Sequence, residues 1–498
     1  MSFNLPAPHP GTEPNASDGL RRDLRKITLA WAFGCTWLWI AAGATMYRFA
    51  REVGTPEWAF GLLAAIPFVA ALAQLPMSWW IQRHGGRRRL FLVCATAGRG
   101  LFVAIGLVPW VLPQESWIGW WPAVVVMLLL AHGLMQSTGP AWLNWMSDLI
   151  PRRVRGRYFA RRSQLVTPVA VVASLGSAWL LDWADARESA DMMLRVTSAL
   201  LVFAGVLGSI DILIFLGIAD KHENVDVEEQ AGTRSLAQLL APLRGSGYRH
   251  FLGFNFCFTL ATGFLGQYLW LYLLEHLGWS NLLANALLLA LPMVLQMLTR
   301  PAWGRLCDRL GKRPVLLIAG GFTAFGAVGW LMMTPTLWWP GYLLIVLITM
   351  MWPGLELANF NFLLDFTKSR KNNRRDEAGA GPSAAALFSI CTAVAGSLSG
   401  VIGGAVAAGL GDWTWDTGLG DYAWNYLHVL LVLSTLIRMA ALCFASGLQE
   451  PKATGTRDAM RYMTTGLFNN VRGVAASPGR LAGPVLRWGY RIDKRKRG

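Results

Sequence analysis

The sequence predicts an all-α membrane protein in which twelve transmembrane helices form two pseudo-symmetric six-helix bundles. Apolar residues make up 54% of the 498 residues, charged residues only 15%, and the mean hydropathy is +0.38. Soluble proteins carry about 25% charged residues. Apolar stretches of ~20 residues, long enough to cross a bilayer as helices, recur along the chain. Tryptophans at the ends of these stretches, such as Trp58, Trp110 and Trp338, are typical of the bilayer interface.

The apolar stretches predict where the spans lie. Span 1 to span 12 are expected, in order, near residues 27–49, 58–81, 90–111, 121–147, 159–182, 193–218, 250–275, 281–304, 314–333, 340–364, 383–409 and 424–448. The polar residues before span 1 contain no apolar stretch of the signal-peptide type, so span 1 is expected to remain as a helix. The longest polar stretch between spans divides them into six and six.

Lysine and arginine lie almost entirely on one side of these spans. Thirty-eight of the 45 fall in the segments 1–26, 82–89, 148–162, 219–249, 305–313, 365–382 and 449–498. The positive-inside rule therefore predicts that these segments and both termini are cytoplasmic, in a multi-pass protein of the cell (inner) membrane. Because the net charge of +16 reflects topology, it does not indicate a nucleic-acid partner.

We predict five segments along the chain. They are a cytoplasmic N-terminal segment 1–26, an N-terminal bundle 27–218, a cytoplasmic linker 219–249, a C-terminal bundle 250–448 and a basic cytoplasmic tail 449–498. The tail is expected to contact anionic lipid headgroups. We expect the protein to act as a monomer.

An internal repeat supports the division into two halves. Residues 66–89, IPFVAALAQLPMSWWIQRHGGRRR, align at an offset of 225 with residues 291–314, LPMVLQMLTRPAWGRLCDRLGKRP. The first copy has Trp79 and Arg83 where the second has Gly304 and Asp308. Two homologous halves predict a transport pathway along their interface.

The second copy also carries a family resemblance. Its GRLCDRLGKR (304–313) resembles the loop signature of the major facilitator superfamily between spans 8 and 9, and DLIPRRVRG (148–156) resembles the family's element after span 4. The resemblance covers residues 27–448. It implies a secondary transporter that works by alternating access, in which cytoplasmic charge clusters lock the two bundles together while the substrate site faces outward.

The resemblance identifies a candidate cytoplasmic gate. Its members are Asp148, Arg155, Arg157, Gly304, Asp308, Arg309, Gly311, Lys312, Arg313 and Asp365. In the first half, the loop lacks its acid, and Asp148 is the candidate to replace it. The alternative is that these charges only set the topology.

Ionisable side chains within the spans are costly and need a partner or a task. Arg99 in span 3 lies at a predicted depth similar to that of Asp211 in span 6, and Glu356 in span 10 matches Arg438 in span 12. We predict two structural ion pairs, Arg99–Asp211 and Glu356–Arg438. Glu356 has an alternative role, because the resemblance places span 10 at the central cavity, where a carboxylate can carry a coupling proton.

Polar and aromatic residues on four spans are candidates for binding the substrate. The resemblance implies that spans 1, 4, 7 and 10 surround the cavity. The candidates are Thr36, Trp37, Trp39, His132, Gln136, Asn255, Thr259, Thr262, Gln267, Trp352 and Asn359. This mixture favours a neutral polar solute such as a sugar or glycoside. The alternative is that these groups only join helices by hydrogen bonds.

Other classes of function find little support in the sequence. It has no HExxH, GxSxG or nucleotide-binding loop, so neither an enzyme nor an ATP-driven pump is indicated. No cluster of cysteine and histidine suggests a metal site, and no cofactor is expected. We therefore predict a secondary active transporter with a proton as the candidate coupling ion. Two alternatives stay open: efflux of drugs or metabolites, and a membrane sensor that does not transport.

Overall fold

The computed structural model describes residues 14–113, 119–218, 239–367, 380–419, 422–450 and 453–462. Within them, 11 helices are long and apolar enough to cross a membrane, and the bent pair Gly19–Ala41 with Ala44–Glu52 makes a twelfth span. The predicted all-α membrane fold is confirmed. Residues 219–238 of the predicted linker and 463–498 of the predicted tail lie outside the described residues, so the division into five segments stays a prediction.

The first half contains spans 1 to 6. Its helices are Pro14–Ala41 and Ala44–Glu52 (span 1), Phe60–Ala71 and Gln74–His84 (span 2), Arg87–Val111 (span 3), Trp121–Ser137 and Gly139–Leu149 (span 4), Arg152–Asp185 (span 5) and Ala190–Ile214 (span 6). Short 3₁₀ turns at Glu57–Ala59 and Phe215–Gly217 begin span 2 and end span 6.

The second half contains spans 7 to 12. Its helices are Ser246–Gly263, Tyr268–Leu271 and Tyr272–His276 (span 7), Asn281–Asn285, Ala286–Ala290 and Leu291–Leu310 (span 8), Lys312–Ala324 and Gly326–Leu331 (span 9), Trp339–Thr367 (span 10), Ala380–Leu410 (span 11) and Tyr426–Ser446 (span 12). A 3₁₀ turn, Ala241–Arg244, precedes span 7. A two-stranded antiparallel hairpin, β1 (Trp415–Leu419) and β2 (Tyr422–Trp424), connects spans 11 and 12.

Breaks in spans 1 and 7 expose backbone groups inside the molecule. Span 1 bends by 47° between Ala41 and Ala44, where Gly43 has a φ of +68°, a left-handed conformation that glycine adopts without steric cost. Span 7 leaves the helical conformation at 264–267 and continues as a π-helix at Tyr272–His276. Such breaks leave amides and carbonyls without helical partners, which is typical of solute sites in membrane transporters.

The apolar core shows which ends of the two halves are in contact. One cluster of buried side chains joins the halves and includes Trp37 and Phe102 from the first and Tyr268 and Tyr426 from the second. We call this end the closed end. At the opposite end, which carries the turns at 85–86 and 311 and which we call the basic end, the clusters around Trp145 and around Phe251 each lie within one half. No described core cluster joins the halves there.

Small residues bring spans 2 and 11 together on the closed side. A methyl group built on Gly61 would lie 2.2 Å from the carbonyl oxygen of Gly400, and one on Gly400 would lie 2.3 Å from that of Gly61. The two backbones are therefore in direct contact, which only glycine permits at these positions. Such small-residue contacts are a common way for membrane helices to pack closely.

Candidate transport site and gates

A cavity of about 160 Å³ lies next to the breaks in spans 1 and 7. Span 1 contributes the largest share of its wall, spans 2, 3 and 4 of the first half supply most of the rest, and span 7 of the second half contributes Gln267. None of the described lining residues is an aspartate, glutamate, lysine or arginine. The cavity therefore presents uncharged polar groups in an apolar wall.

Three of the predicted substrate residues meet at this cavity: Trp37, His132 and Gln267. Nδ1 of His132 lies 2.9 Å from the carbonyl oxygen of Leu128 in its own helix. Nε1 of Trp37 and Oε1 of Gln267 are buried without a hydrogen-bond partner among the described residues. A buried polar atom without a partner costs free energy, so these two atoms are unsatisfied groups close to the cavity.

The Arg99–Asp211 ion pair holds Trp37 in the cavity wall. The Arg99 guanidinium donates to the Asp211 carboxylate and to the carbonyl oxygen of Gly208, the latter at 2.9 Å. It also lies over the Trp37 ring, 4.7 Å from the ring centroid, where a cation is attracted to the indole face. The predicted contact is thus present between spans 3 and 6, and it reaches the candidate site through Trp37.

Asn285, in the second half, forms a hydrogen bond to the backbone of span 1 at its break. Its Oδ1 accepts a hydrogen bond of 3.1 Å from the Ala44 amide, the first after the break, and its Nδ2 donates to the Ser174 carbonyl oxygen at 2.9 Å. Asn285 is fully buried. This span 8 residue therefore connects spans 1 and 5 of the first half beside the cavity.

The other candidates on spans 1, 4 and 7 lie away from the described cavity wall. Thr36 and Thr262 donate to carbonyl oxygens of their own helices, those of Ala32 at 2.9 Å and Phe258 at 2.7 Å. Gln136 accepts from Nε2 of Gln74 at 3.1 Å. Trp39 packs beside the cluster of Cys35, Val166 and Ala170, and Thr259 is half-buried on span 7. Of these, Gln136 fits the alternative in which polar groups join helices, since it connects spans 2 and 4, whereas Thr36 and Thr262 bond within their own helices.

Two further candidates connect spans 7 and 10. Nδ2 of Asn359 donates to Oδ1 of Asn255 at 2.8 Å, and Asn255 donates to the Phe251 carbonyl oxygen, also at 2.8 Å. Oδ1 of Asn359 is buried without a partner among the described residues. Asn359 is therefore the one of these two that keeps an acceptor for a solute or for water.

The predicted Glu356–Arg438 pair is wrong. Glu356 instead accepts from Arg300 of span 8 at 2.7 Å and from Nε1 of Trp352 at 3.0 Å. Arg438 is buried, donates to the Thr323 carbonyl oxygen at 2.8 Å and lies 5.6 Å from the centroid of the Phe258 ring. Equal depth in the membrane does not fix the direction in which a helix presents a side chain: span 10 turns Glu356 toward span 8, while span 12 turns Arg438 toward span 9.

A set of charged and polar contacts joins the halves at the closed end. Glu275 of span 7 accepts from Nε and Nη2 of Arg51, each at 2.6 Å, and from the Tyr47 hydroxyl. Glu57 of the first half accepts from the Tyr426 hydroxyl at 2.5 Å. A bidentate arginine–carboxylate pair is among the stronger polar contacts in proteins. This set is a candidate gate, which the sequence analysis did not identify.

Asp182 of span 5 adds a second connection across the closed end. Its carboxylate accepts from the backbone amides of Asn281 and Leu282, at 2.7 and 3.0 Å, and from Nδ2 of Asn281 at 2.9 Å. Asn281 begins span 8, so a residue of one half caps a helix of the other. Nε of Arg48 donates to Oδ1 of Asn281 at 2.9 Å.

At the basic end, the predicted gate residues pair within their own halves. Asp148 accepts from Arg87 at 2.6 Å, so it does supply the acid that the first-half loop lacks. Asp365 pairs with Lys312. Arg155 donates to backbone carbonyl oxygens, including that of Ile150 at 3.1 Å. No described residue forms a salt bridge with Asp308.

The remaining gate residues belong to the second-half loop, except for one. A methyl group on Gly304 would meet no atom within 4 Å, and Gly311 has a φ of +98°, a left-handed conformation that glycine adopts without steric cost in the turn between spans 8 and 9. Arg309 and Arg313 contact the segment after span 12, described below. The side chain of Arg157 lies outside the described part of the structure.

Comparison with protein-family models identifies the family. A model described as Major Facilitator Superfamily matches residues 28–400, which is well over half of the chain. No curated protein matches the sequence.

Solved transporters share the fold at low identity. The nucleoside transporter NupG is 13% identical, with a TM-score of 0.60, and the match covers 86% of this chain and 100% of that one. The xylose transporter XylE from E. coli, in a partially occluded inward-open conformation, is 13% identical, with a TM-score of 0.55 and coverage of 87% and 99%. A bacterial homologue of the lysosomal transporter Spinster is 16% identical, with a TM-score of 0.52 and coverage of 88% and 95%.

Proposed function

The chain belongs to the major facilitator superfamily of membrane transporters, and we propose that it carries a neutral polar solute, such as a sugar or glycoside, by alternating access. One observation carries this proposal. Trp37, His132 and Gln267, from three different spans, line one cavity, and two of them have a buried polar atom without a described partner.

The charge of the cavity favours a neutral solute. An ion in a membrane-embedded site needs a counter-charge or a ring of oriented dipoles, because burial of an unpaired charge is costly. The described lining residues include no fully charged side chain. They do include the imidazole of His132 and the amide of Gln267, each of which can donate and accept hydrogen bonds.

Alternating access is supported by the contrast between the two ends. Polar contacts and a common core join the halves at the closed end, whereas the described clusters at the basic end belong to single halves. This arrangement corresponds to a state open at the basic end. By the positive-inside rule that end faces the cytoplasm, and both termini lie there, in the inner membrane of the cell.

Proton coupling through Glu356 is the finer part of the proposal. Its carboxylate is 42% exposed and pairs with Arg300, which is 55% exposed. In a transport cycle, protonation of Glu356 would break this pair, and its re-formation would release the proton. The arginine partner is therefore Arg300 rather than Arg438. The basic tail is proposed to contact anionic lipids, and the chain to act as a monomer.

A transport assay in proteoliposomes tests the proposal. Uptake of neutral sugars, glycosides and nucleosides is measured beside organic anions and organic cations, with and without a pH gradient. We expect a neutral solute to be transported, and Gln267→Leu and Trp37→Phe to reduce its binding by about tenfold through loss of a buried hydrogen bond. Gln164→Leu, which changes an exposed glutamine of span 5, is the matched control. Transport of only charged solutes would contradict the proposal.

A further inference from the structure

The chain that follows span 12 folds back onto the turn between spans 8 and 9. We call its described residues, 448–450 and 453–462, the docked segment. The Thr454 amide donates to the Leu310 carbonyl oxygen at 2.9 Å. Ala459, in the short helix at 456–462, is fully buried against Leu310 and Ile318. The docked segment thus has both a backbone contact and an apolar contact with the turn.

Gly311 makes this docking possible. A methyl group built on Gly311 would lie 2.8 Å from Cβ of Ala453 and 3.1 Å from Oε2 of Glu450. A side chain at this position would therefore displace the docked segment as well as strain the turn. The glycine of the loop signature serves two purposes in this chain, the turn itself and the close approach of the segment after span 12.

The docked segment also engages the basic residues of the loop. Glu450 accepts from the Arg313 amide at 2.8 Å, and its other oxygen lies 3.9 Å from Nζ of Lys312. Arg309 donates to the Tyr462 hydroxyl at 3.0 Å. The guanidinium of Arg313 donates to the Ser446 carbonyl oxygen, at the end of span 12, at 2.8 Å.

The first half holds its equivalent bases by bundle contacts that recur in the second half. Arg87 pairs with Asp148 of span 4 at 2.6 Å, and Arg88 donates to the Leu216 carbonyl oxygen of span 6 at 2.9 Å. These partners are parts of the bundle itself. In the second half, Lys312 likewise pairs with Asp365 of span 10, and Arg313 donates to the Ser446 carbonyl oxygen of span 12. The docked segment adds the acid of Glu450 and the hydroxyl of Tyr462 to this pattern of bundle contacts, which the two halves share.

We propose that the docked segment is a regulatory clamp that favours the state open at the basic end. Closing this end requires the loop's charges to face the first half, and the docked segment engages the side chains of two of its bases, Arg309 and Lys312, within the second half. Undocking frees Arg309 and removes one of the two acids near Lys312, which favours closure. This inference depends on the alternating access proposed above, but not on the identity of the solute.

Spin labels across the basic end test the clamp. Labels at Gln164→Cys in span 5 and Arg305→Cys in span 8, both exposed positions on opposite halves, report their separation by electron–electron double resonance in lipid bilayers without solute. We expect Glu450→Gln and Ala459→Gln each to raise the population with a short distance between the labels about threefold. A change of this size is typical for the loss of a partly exposed charged contact or of a small packing contact.

One control variant and one conservative variant accompany this test. Arg457→Gln changes an exposed residue on the same short helix as Ala459, and it is expected to leave the distances unchanged. Tyr462→Phe removes only a hydroxyl, so it provides a test even where a larger change prevents folding. It should shift the distances between the labels toward shorter values, as Glu450→Gln does. Unchanged distances in Glu450→Gln and Tyr462→Phe, or an equal shift in Arg457→Gln, would overturn the clamp. Because no solute is added, failure of the transport screen leaves this result unaffected.

Discussion

At the scale of single residues, the Arg99–Asp211 pair links the stability of the first half to the candidate site. Its side chains are 11% and 3% exposed, and Arg99 supports the indole of Trp37 at the cavity. A methyl group on Gly34 would lie 2.2 Å from Asp211, so span 1 provides the space for the carboxylate. A pair that looks purely structural in the sequence therefore also positions a candidate substrate residue.

Neutralising one member of this pair should destabilise the protein. Asp211→Asn leaves the Arg99 charge buried without compensation, and removal of one partner of a buried pair costs about 3–5 kcal/mol. Adding Arg99→Gln should cost little more, because the interaction is already lost. Thermal unfolding of the two single variants and the double variant measures this. Fully additive losses would show that the two side chains act independently.

Glu356 should affect coupling more than it affects folding. Because it is partly exposed and paired with Arg300, Glu356→Gln should abolish accumulation of solute driven by a pH gradient while solute exchange across the membrane continues. Uptake and exchange in proteoliposomes measure the two activities. Glu188→Gln, in the exposed loop between spans 5 and 6, is the control. Undiminished accumulation in Glu356→Gln would exclude Glu356 as the proton carrier.

A static role for the Glu356–Arg300 pair predicts a different pattern. In that case Glu356→Gln would lower stability and exchange together, and the double variant with Arg300→Gln would restore both. The depth of Glu356 can be predicted from the sequence, because depth follows from counting residues along a helix. Its partner cannot, because the partner depends on how two helices are rotated. The sequence does not indicate Arg300 as the partner, because Arg300 lies near the predicted end of span 8.

At the scale of the helices, the breaks and close contacts position the site. The sequence predicts most span limits well, since apolar length is a direct requirement of the bilayer. It does not predict the bend in span 1 or the turn at 264–267 in span 7, because glycine in a membrane helix is compatible with both a break and close packing. The cavity lies at these breaks, so three of its lining residues are predicted from the sequence but its shape is not.

The contact of spans 2 and 11 should control the closed end. Gly400→Val would push the two backbones apart, because even a methyl group on Gly400 would meet the Gly61 carbonyl oxygen. We expect the closed end to open. The population of the state that is open at the basic end should fall by about tenfold or more, which is the size of effect typical for overpacking of a close-packed contact. Gly409→Val on the same helix, where a methyl group meets no atom within 4 Å, is the control.

Labels at Glu188→Cys and Asp412→Cys, both exposed at the closed end, measure the outcome for Gly400→Val. Longer distances are expected in Gly400→Val and unchanged distances in Gly409→Val. Equal distances in the two variants would show that the spans 2 and 11 contact does not hold this end closed.

At the scale of the whole molecule, the sequence indicates the fold, the two halves and the charged loops at the basic end. The gate at the closed end is not predicted from the sequence. Arg51, Glu57 and Glu275 belong to no repeated motif, and Glu275 lies 218 or more residues from the other two. Their proximity arises only when the two halves meet. The docked segment is likewise visible only in the folded chain, since its contacts with Leu310 and Gly311 span most of the second half.

Alternating access requires that opening one end closes the other. The most direct measurement follows both label pairs, Gln164–Arg305 and Glu188–Asp412, in protein carrying Glu275→Gln, which weakens the bidentate pair with Arg51. Asp191→Asn, which removes an exposed pair with Arg195 near the same end, is the control. We predict longer distances at the closed end together with shorter distances at the basic end. Longer closed-end distances with an unchanged basic end would contradict alternating access in this protein.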